Sequence, residues 1–114
     1  MTYIYIIGPV EGYPVKIGIA KNVGQRLKTF QTANWVKLKV HYKVRAKSRA
    51  DAFILETKAH RALKRKKIRE GGDEWFAVNA DTGKRLILRI AGVQKPHWFS
   101  RMLRWLFGTR WNRT

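Results

Sequence analysis

The run Tyr3-Ile4-Tyr5-Ile6-Ile7 constrains this chain more than any other stretch. Every side chain in it is aromatic or β-branched, and Gly8-Pro9 ends it, the pattern of a strand followed by turn punctuation. After Glu11-Gly12-Tyr13-Pro14, the alternating run Val15-Lys16-Ile17-Gly18-Ile19 returns at a distance that suits a hairpin with a several-residue loop. The chain therefore opens with two antiparallel strands. With 114 residues and no cysteine, the sheet they start has to be held by the packing of one small domain. Disulfides, thiolate metal clusters, zinc knuckles and cysteine nucleophiles are excluded together.

The remaining punctuation sets the order of elements. Asn22 is placed to cap a short helix in which Val23, Leu27 and Phe30 fall at i, i+4 and i+7. Residues 37–44 alternate apolar and polar with period two, as a half-buried third strand should. Ser48 opens a helix free of Gly and Pro through about Lys67, with Asp51 in the position of a capping-box acid, and Gly71-Gly72 ends it. Glu74-Trp75-Phe76-Ala77-Val78 reads as a brief extended segment. Asp81 then caps a helix over about Thr82–Ala91, with Leu86, Ile87 and Ile90 on one side. This is an α/β chain of the α+β kind, divided into a domain over residues 1–92 and an extension over 93–114.

Charge narrows the partner. Lys and Arg number 25 against 7 Asp and Glu, a net +18, far beyond what solubility requires. The excess is spread over residues 1–46, 47–70 and 95–114, while 71–94 balance. A polyanion is the expected partner, and without a visible signal sequence or an apolar stretch of membrane-spanning length, the cytoplasm is the expected compartment.

One acid sits where an idle acid should not. On a helical wheel, Ala52, Phe53, Ala59, His60 and Leu63 all lie within about 60° of Glu56, which places the carboxylate in the middle of the apolar face. An ionised carboxylate withdrawn from water needs a partner, a proton or a cation, so Glu56 is read either as a structural ion pair or as a working group. His60, one turn on, shares that face and is read as a packed core histidine or as a second ligand.

Tyr3-Ile4-Tyr5, Lys16-Ile17-Gly18, Arg26 in the first helix and Glu56 in a later one, taken in that order and spacing, resemble the GIY-YIG nuclease superfamily. Lys28-Thr29-Phe30-Gln31-Thr32-Ala33-Asn34 and Glu74-Trp75-Phe76 look like a phage and fungal branch in which Lys-Ile-Gly replaces Tyr-Ile-Gly. The resemblance covers roughly residues 1–90. It implies a small three-stranded antiparallel sheet flanked by helices, and metal-dependent hydrolysis of DNA phosphodiesters with one Mg2+ or Mn2+. It further implies that Glu56 is the metal ligand, Arg26 the phosphate clamp, and Tyr5 a hydrogen-bonding or general-base group near the attacking water. Lys16 stands where the family has a tyrosine, suited to hold phosphate, or to act as a base only if burial or cationic neighbours depress its affinity for the proton. Asn79 does not match the family's late asparagine in spacing. His60 and Glu74 are this branch's additions to the site.

Phosphate contacts are expected from Lys21, and from Arg61, Lys64, Arg65 and Lys67 in a cationic helix end that also holds Lys66 and Arg69. No small-molecule cofactor is expected. The stretch from His97 to Phe107 mixes aromatics and Arg without an acid and follows Lys95-Pro96 as a fresh helix start. Packing or self-association through residues 96–114 is its first reading, nucleic-acid contact the second and a membrane surface the third. A DNA-binding module that keeps the fold without cleavage is the rival to the nuclease.

Overall fold

The computed structural model describes residues 1–68 and 75–92. The expected hairpin forms from β1 (Tyr3–Pro9) and β2 (Val15–Ala20), with Tyr5 opposite Gly18 and Ile6 opposite Ile17. Its loop turns at Gly12, whose φ of 85° favours glycine. The Gly12 N–H donates to the Pro9 carbonyl at 2.8 Å, while the Gly12 carbonyl accepts the Ala80 N–H at 2.7 Å. The hairpin tip is thereby tied to Ala80, far along the chain.

β3 (Leu38–Arg45) pairs with the other side of β1, and β4 (Trp75–Phe76) pairs with Val15 and Lys16 of β2. The sheet therefore has four antiparallel strands in the order β3-β1-β2-β4, one more than the three expected. Residues 74–78 read as extended, and the added strand is that segment paired to β2.

Both faces of the sheet are covered. Ile4, Ile6 and Ile17 pack with α2 (Arg49–Ala62) and α3 (Ala80–Ile90) on one face, while Tyr5 and Ile7 pack with α1 (Val23–Thr32) on the other. Five successive residues of β1, Ile4–Gly8, are buried, which is why the run carries no polar residue. Burying one such Ile side chain stabilises the fold by about 1.5–3 kcal/mol. In β3, a simple alternation would send Leu38, Val40, Tyr42 and Val44 to one face. A bulge opposite Ile6 and Ile7 divides them instead, Leu38 and Val40 toward α1, Tyr42 and Val44 toward α2 and α3.

The helix caps fall as expected at Asn22, which accepts the Gln25 N–H at 2.9 Å, and at Ser48, which accepts the Asp51 N–H at 3.1 Å. Two expectations are corrected. The long helix stops at Ala62, and Lys64–Lys66 form a single 3-10 turn. The chain there leaves the helix to meet the β4 segment: Lys66 accepts the Ala77 N–H at 2.7 Å, and the Ile68 N–H donates to Trp75 at 2.9 Å. Pairing across the sequence outweighs local helix propensity.

The cap of α3 is Asn79, not Asp81. Asn79 accepts the Thr82 N–H at 2.7 Å, whereas Asp81 lies in the first turn and pairs with Arg85 at 2.9 Å on the exposed surface. Asn79→Ala should cost about 1 kcal/mol and Asp81→Ala no more than about half of that. Urea denaturation of the two variants checks it; a larger loss at Asp81 would return the cap to the acid. The Gly71-Gly72 stop, Arg69, Glu74 and the 93–114 extension lie outside the described residues. No helix among the described residues is long and apolar enough to cross a membrane.

Candidate active site

β4 reaches β2 only at Val15 and Lys16, so from Ile17 onward β2 continues beyond that ladder. The candidate residues gather on both sides of this stretch. On the α1 side, the Tyr5 ring lies directly over Gly18. A Cβ added to Gly18 would collide with the phenolic oxygen and come within 2.7 Å of Cζ. Only glycine leaves room for the ring at that position. Tyr5 is 2 % exposed and its ring centre is 6.4 Å from that of Phe30 on α1. Lys16, half-buried on the same face, holds Nζ 4.2 Å from the centre of the Phe30 ring, a cation–π contact.

Arg26 projects from the exposed side of α1 into a cleft of about 430 Å3 between the end of β2 and the starts of α1 and α2. Lys21 and Arg49 share the lining, with Asn22, Gln25 and Ile19. Lys21 and Arg26 are expected phosphate contacts, and Arg49 joins them here. Its position directly after the Ser48 cap was the available signal.

α2 runs past the other face. His60 Nε2 donates to the Ile17 carbonyl at 2.7 Å, one residue past the β4 ladder, and the His60 ring centre is 5.0 Å from that of Phe76. A carbonyl only accepts, so this bond places the proton on Nε2. The imidazole thus ties the helix to the sheet.

Glu56 lies one turn before His60 and is half-buried. The wheel placed it at the middle of the apolar face. The buried positions are Ala52, Ala59 and Leu63, with Leu55 packed beside them, while Phe53 is 61 % exposed. Packed positions thus lie on both sides of Glu56, with Ala52, Ala59 and Leu63 on one and His60 on the other, and only Phe53 falls outside the stripe.

At the end of α2, Arg61, Lys64 and Lys67 line a second hollow of about 340 Å3 together with His60 and Phe76. Arg65 is exposed on the same 3-10 turn but outside that lining. α2 thus has a cationic hollow at each end, with Arg49 at its first residue, Arg61 in its last turn and Glu56 midway. Asn79, as the cap of α3, is committed elsewhere.

Fold and clefts together define a small α+β domain with two cationic hollows on either side of one helix acid. The T5orf172 domain profile matches residues 2–91, and the chain belongs to that family of nuclease-like domains of phages and bacteria. Comparison with the curated proteins gave no match, and comparison with solved structures gave none either.

Proposed function

We propose that this domain hydrolyses DNA phosphodiester bonds as a GIY-YIG-type endonuclease working with one divalent cation, Mg2+ or Mn2+. The observation that carries the reading is the seating of the Tyr5 phenol over Gly18, with the Arg26 cleft opening where β2 passes into α1. Membership of a nuclease-like family supports it.

The donor set fits such a cation. Glu56 is a half-buried carboxylate one turn before His60 on α2. Glu56 would supply one oxygen, with water and substrate phosphate supplying the others, a common way of binding Mg2+. Bound there, the cation would polarise the phosphate and ease deprotonation of water.

The chain's own groups supply the rest. Arg26 is permanently charged and donates in a planar fork, so it binds the non-bridging oxygens of the phosphate under attack. Lys21 and Arg49 hold the backbone beside it, and Arg61, Lys64 and Lys67 hold it at the other end of α2. Tyr5 orients the water whose oxygen bonds to phosphorus as the ester P–O bond breaks. Lys16 balances charge on the phosphate. His60, with Nε2 committed to Ile17, positions α2 and so Glu56.

Lys16 in the place of a tyrosine, with its ammonium over Phe30, favours a second reading, a DNA-binding module that does not cut. Supercoiled plasmid incubated with the protein in Mg2+, in Mn2+ and in EDTA separates the two. Nicked circles should accumulate with either metal and not in EDTA. Plasmid that is retarded in a gel yet stays intact with both metals would leave only the binding module.

A further inference from the structure

α1 ends in a loop held by two side chains, Gln31 and Asn34. The Gln31 amide nitrogen donates to the carbonyls of Asn34 at 3.1 Å and Val36 at 2.9 Å, and its oxygen accepts the Leu38 N–H at 2.8 Å. The Asn34 amide donates in turn to the Phe30 carbonyl at 3.1 Å. These bonds fix the backbone on both sides of Trp35.

The indole they bracket is 98 % exposed. A ring of that size ordinarily buries most of its surface, and a loop pinned on both flanks does not leave it outside through slackness. Its surroundings are cationic. From Gly12 to Ala50 the sequence holds ten Lys and Arg and no acid, and Lys28, Lys37 and Lys39, close to Trp35 in sequence, are all exposed. The neighbouring Val36, 42 % exposed, lines a separate hollow with Pro9, Pro14, Ala33 and Leu38, and Trp35 stands outside that lining. A flat exposed π-face with exposed lysines near it along the chain matches a nucleobase between phosphates. Along α1, at about 1.5 Å per residue, the loop stands roughly three or four base steps of 3.4 Å from Arg26.

We propose that Trp35 is a base-stacking site, taking the face of an unpaired nucleobase in DNA whose phosphates the cationic surface holds. The assignment rests on the nucleic-acid reading above and adds a preference to it. Bases inside an intact duplex have both faces covered, so the site selects unpaired over paired DNA and is tolerant of base identity.

The test is binding of the full chain in EDTA, where no cutting competes, to three labelled oligonucleotides: a paired duplex, the same duplex with one unpaired base, and the single strand. The wild type should prefer the last two. Trp35→Ala should lose about five- to a hundredfold on them and change by no more than about twofold on the paired duplex. Trp35→Phe should keep most of the preference, and Gln31→Ala, which frees the loop but keeps the indole, should lose part of it. Thermal melting of Trp35→Ala should match the wild type because the residue buries almost nothing. The stacking site is overturned if the wild type shows no preference, if Trp35→Ala binds all three probes as the wild type does, or if it weakens all three equally. A wild type that binds none of the probes overturns the nucleic-acid reading itself.

Discussion

Glu56→Gln is expected to give a folded protein that still retards DNA and no longer nicks it. Gln matches Glu in shape and helix propensity, and the position is only half-buried, so stability should move by no more than about 1 kcal/mol. What changes is the charge offered to a cation. Loss of the one carboxylate proposed to hold the metal should lower the nicking rate by about a thousandfold or more, equivalent to roughly 4 kcal/mol of transition-state stabilisation. Binding to plasmid should fall little, since it comes from lysines and arginines and not from this acid. Nicking by Glu56→Gln at anything near the wild-type rate would remove Glu56 from the chemistry.

The second large effect is expected at Gly18. A Cβ there meets the Tyr5 ring, and the ring has nowhere to go: it is buried under α1 and tilted against Phe30. Gly18→Val should destabilise the domain by about 3 kcal/mol or more, lowering the melting temperature by some 10 °C or more for a domain of this size. Gly18→Ala should do the same to a smaller degree. Because the nearest atom is the phenolic oxygen, Gly18→Ala should cost less in a Tyr5→Phe background than in the wild type. Equal costs in the two backgrounds would mean that the conflict is with something other than the phenol. Stability is read here by denaturant titration, independently of any activity.

These two positions also mark what the sequence made legible. The pairing of Tyr5 with Gly18 follows from two short β-branched runs and the loop between them, and such local signals fix register strongly when both faces are covered. The caps at Asn22 and Ser48 were legible for the same reason, since a cap is written within three residues of itself. The end of α2 was not, because the residues that stop it at Ala62 lie in β4, more than ten positions away. The bulge in β3 was hidden likewise, as strict alternation carries no mark of the one extra residue that turns the strand over.

For the site, order and spacing picked out Tyr5, Lys16, Arg26 and Glu56; the structure puts Tyr5 and Lys16 on the α1 side of the sheet, Arg26 in the cleft at the end of β2, and Glu56 on α2. The wheel weighed Phe53 as core, but Phe53 faces outward. His60 was left open between packing and ligation. Its bond to the Ile17 carbonyl joins residues 43 positions apart, which no periodicity reports. Trp35 was passed over entirely: read along the chain it is one aromatic in a loop, and only the three bonds of Gln31 show that the loop is built around it.

The outer position of β3 has a bearing on how copies of this protein behave together. An outer strand offers unpaired backbone groups to any second strand, and lysines along it keep such strands apart by mutual repulsion. Here Lys39, Lys43 and Arg45 are exposed on that strand. The protection is electrostatic, and a polyanion that neutralises the lysines removes it. If the cationic surface binds DNA as proposed, crowding along DNA at low salt is the circumstance in which neighbouring copies are least defended against joining their sheets, and dilute, DNA-free solution is the one in which they stay apart best.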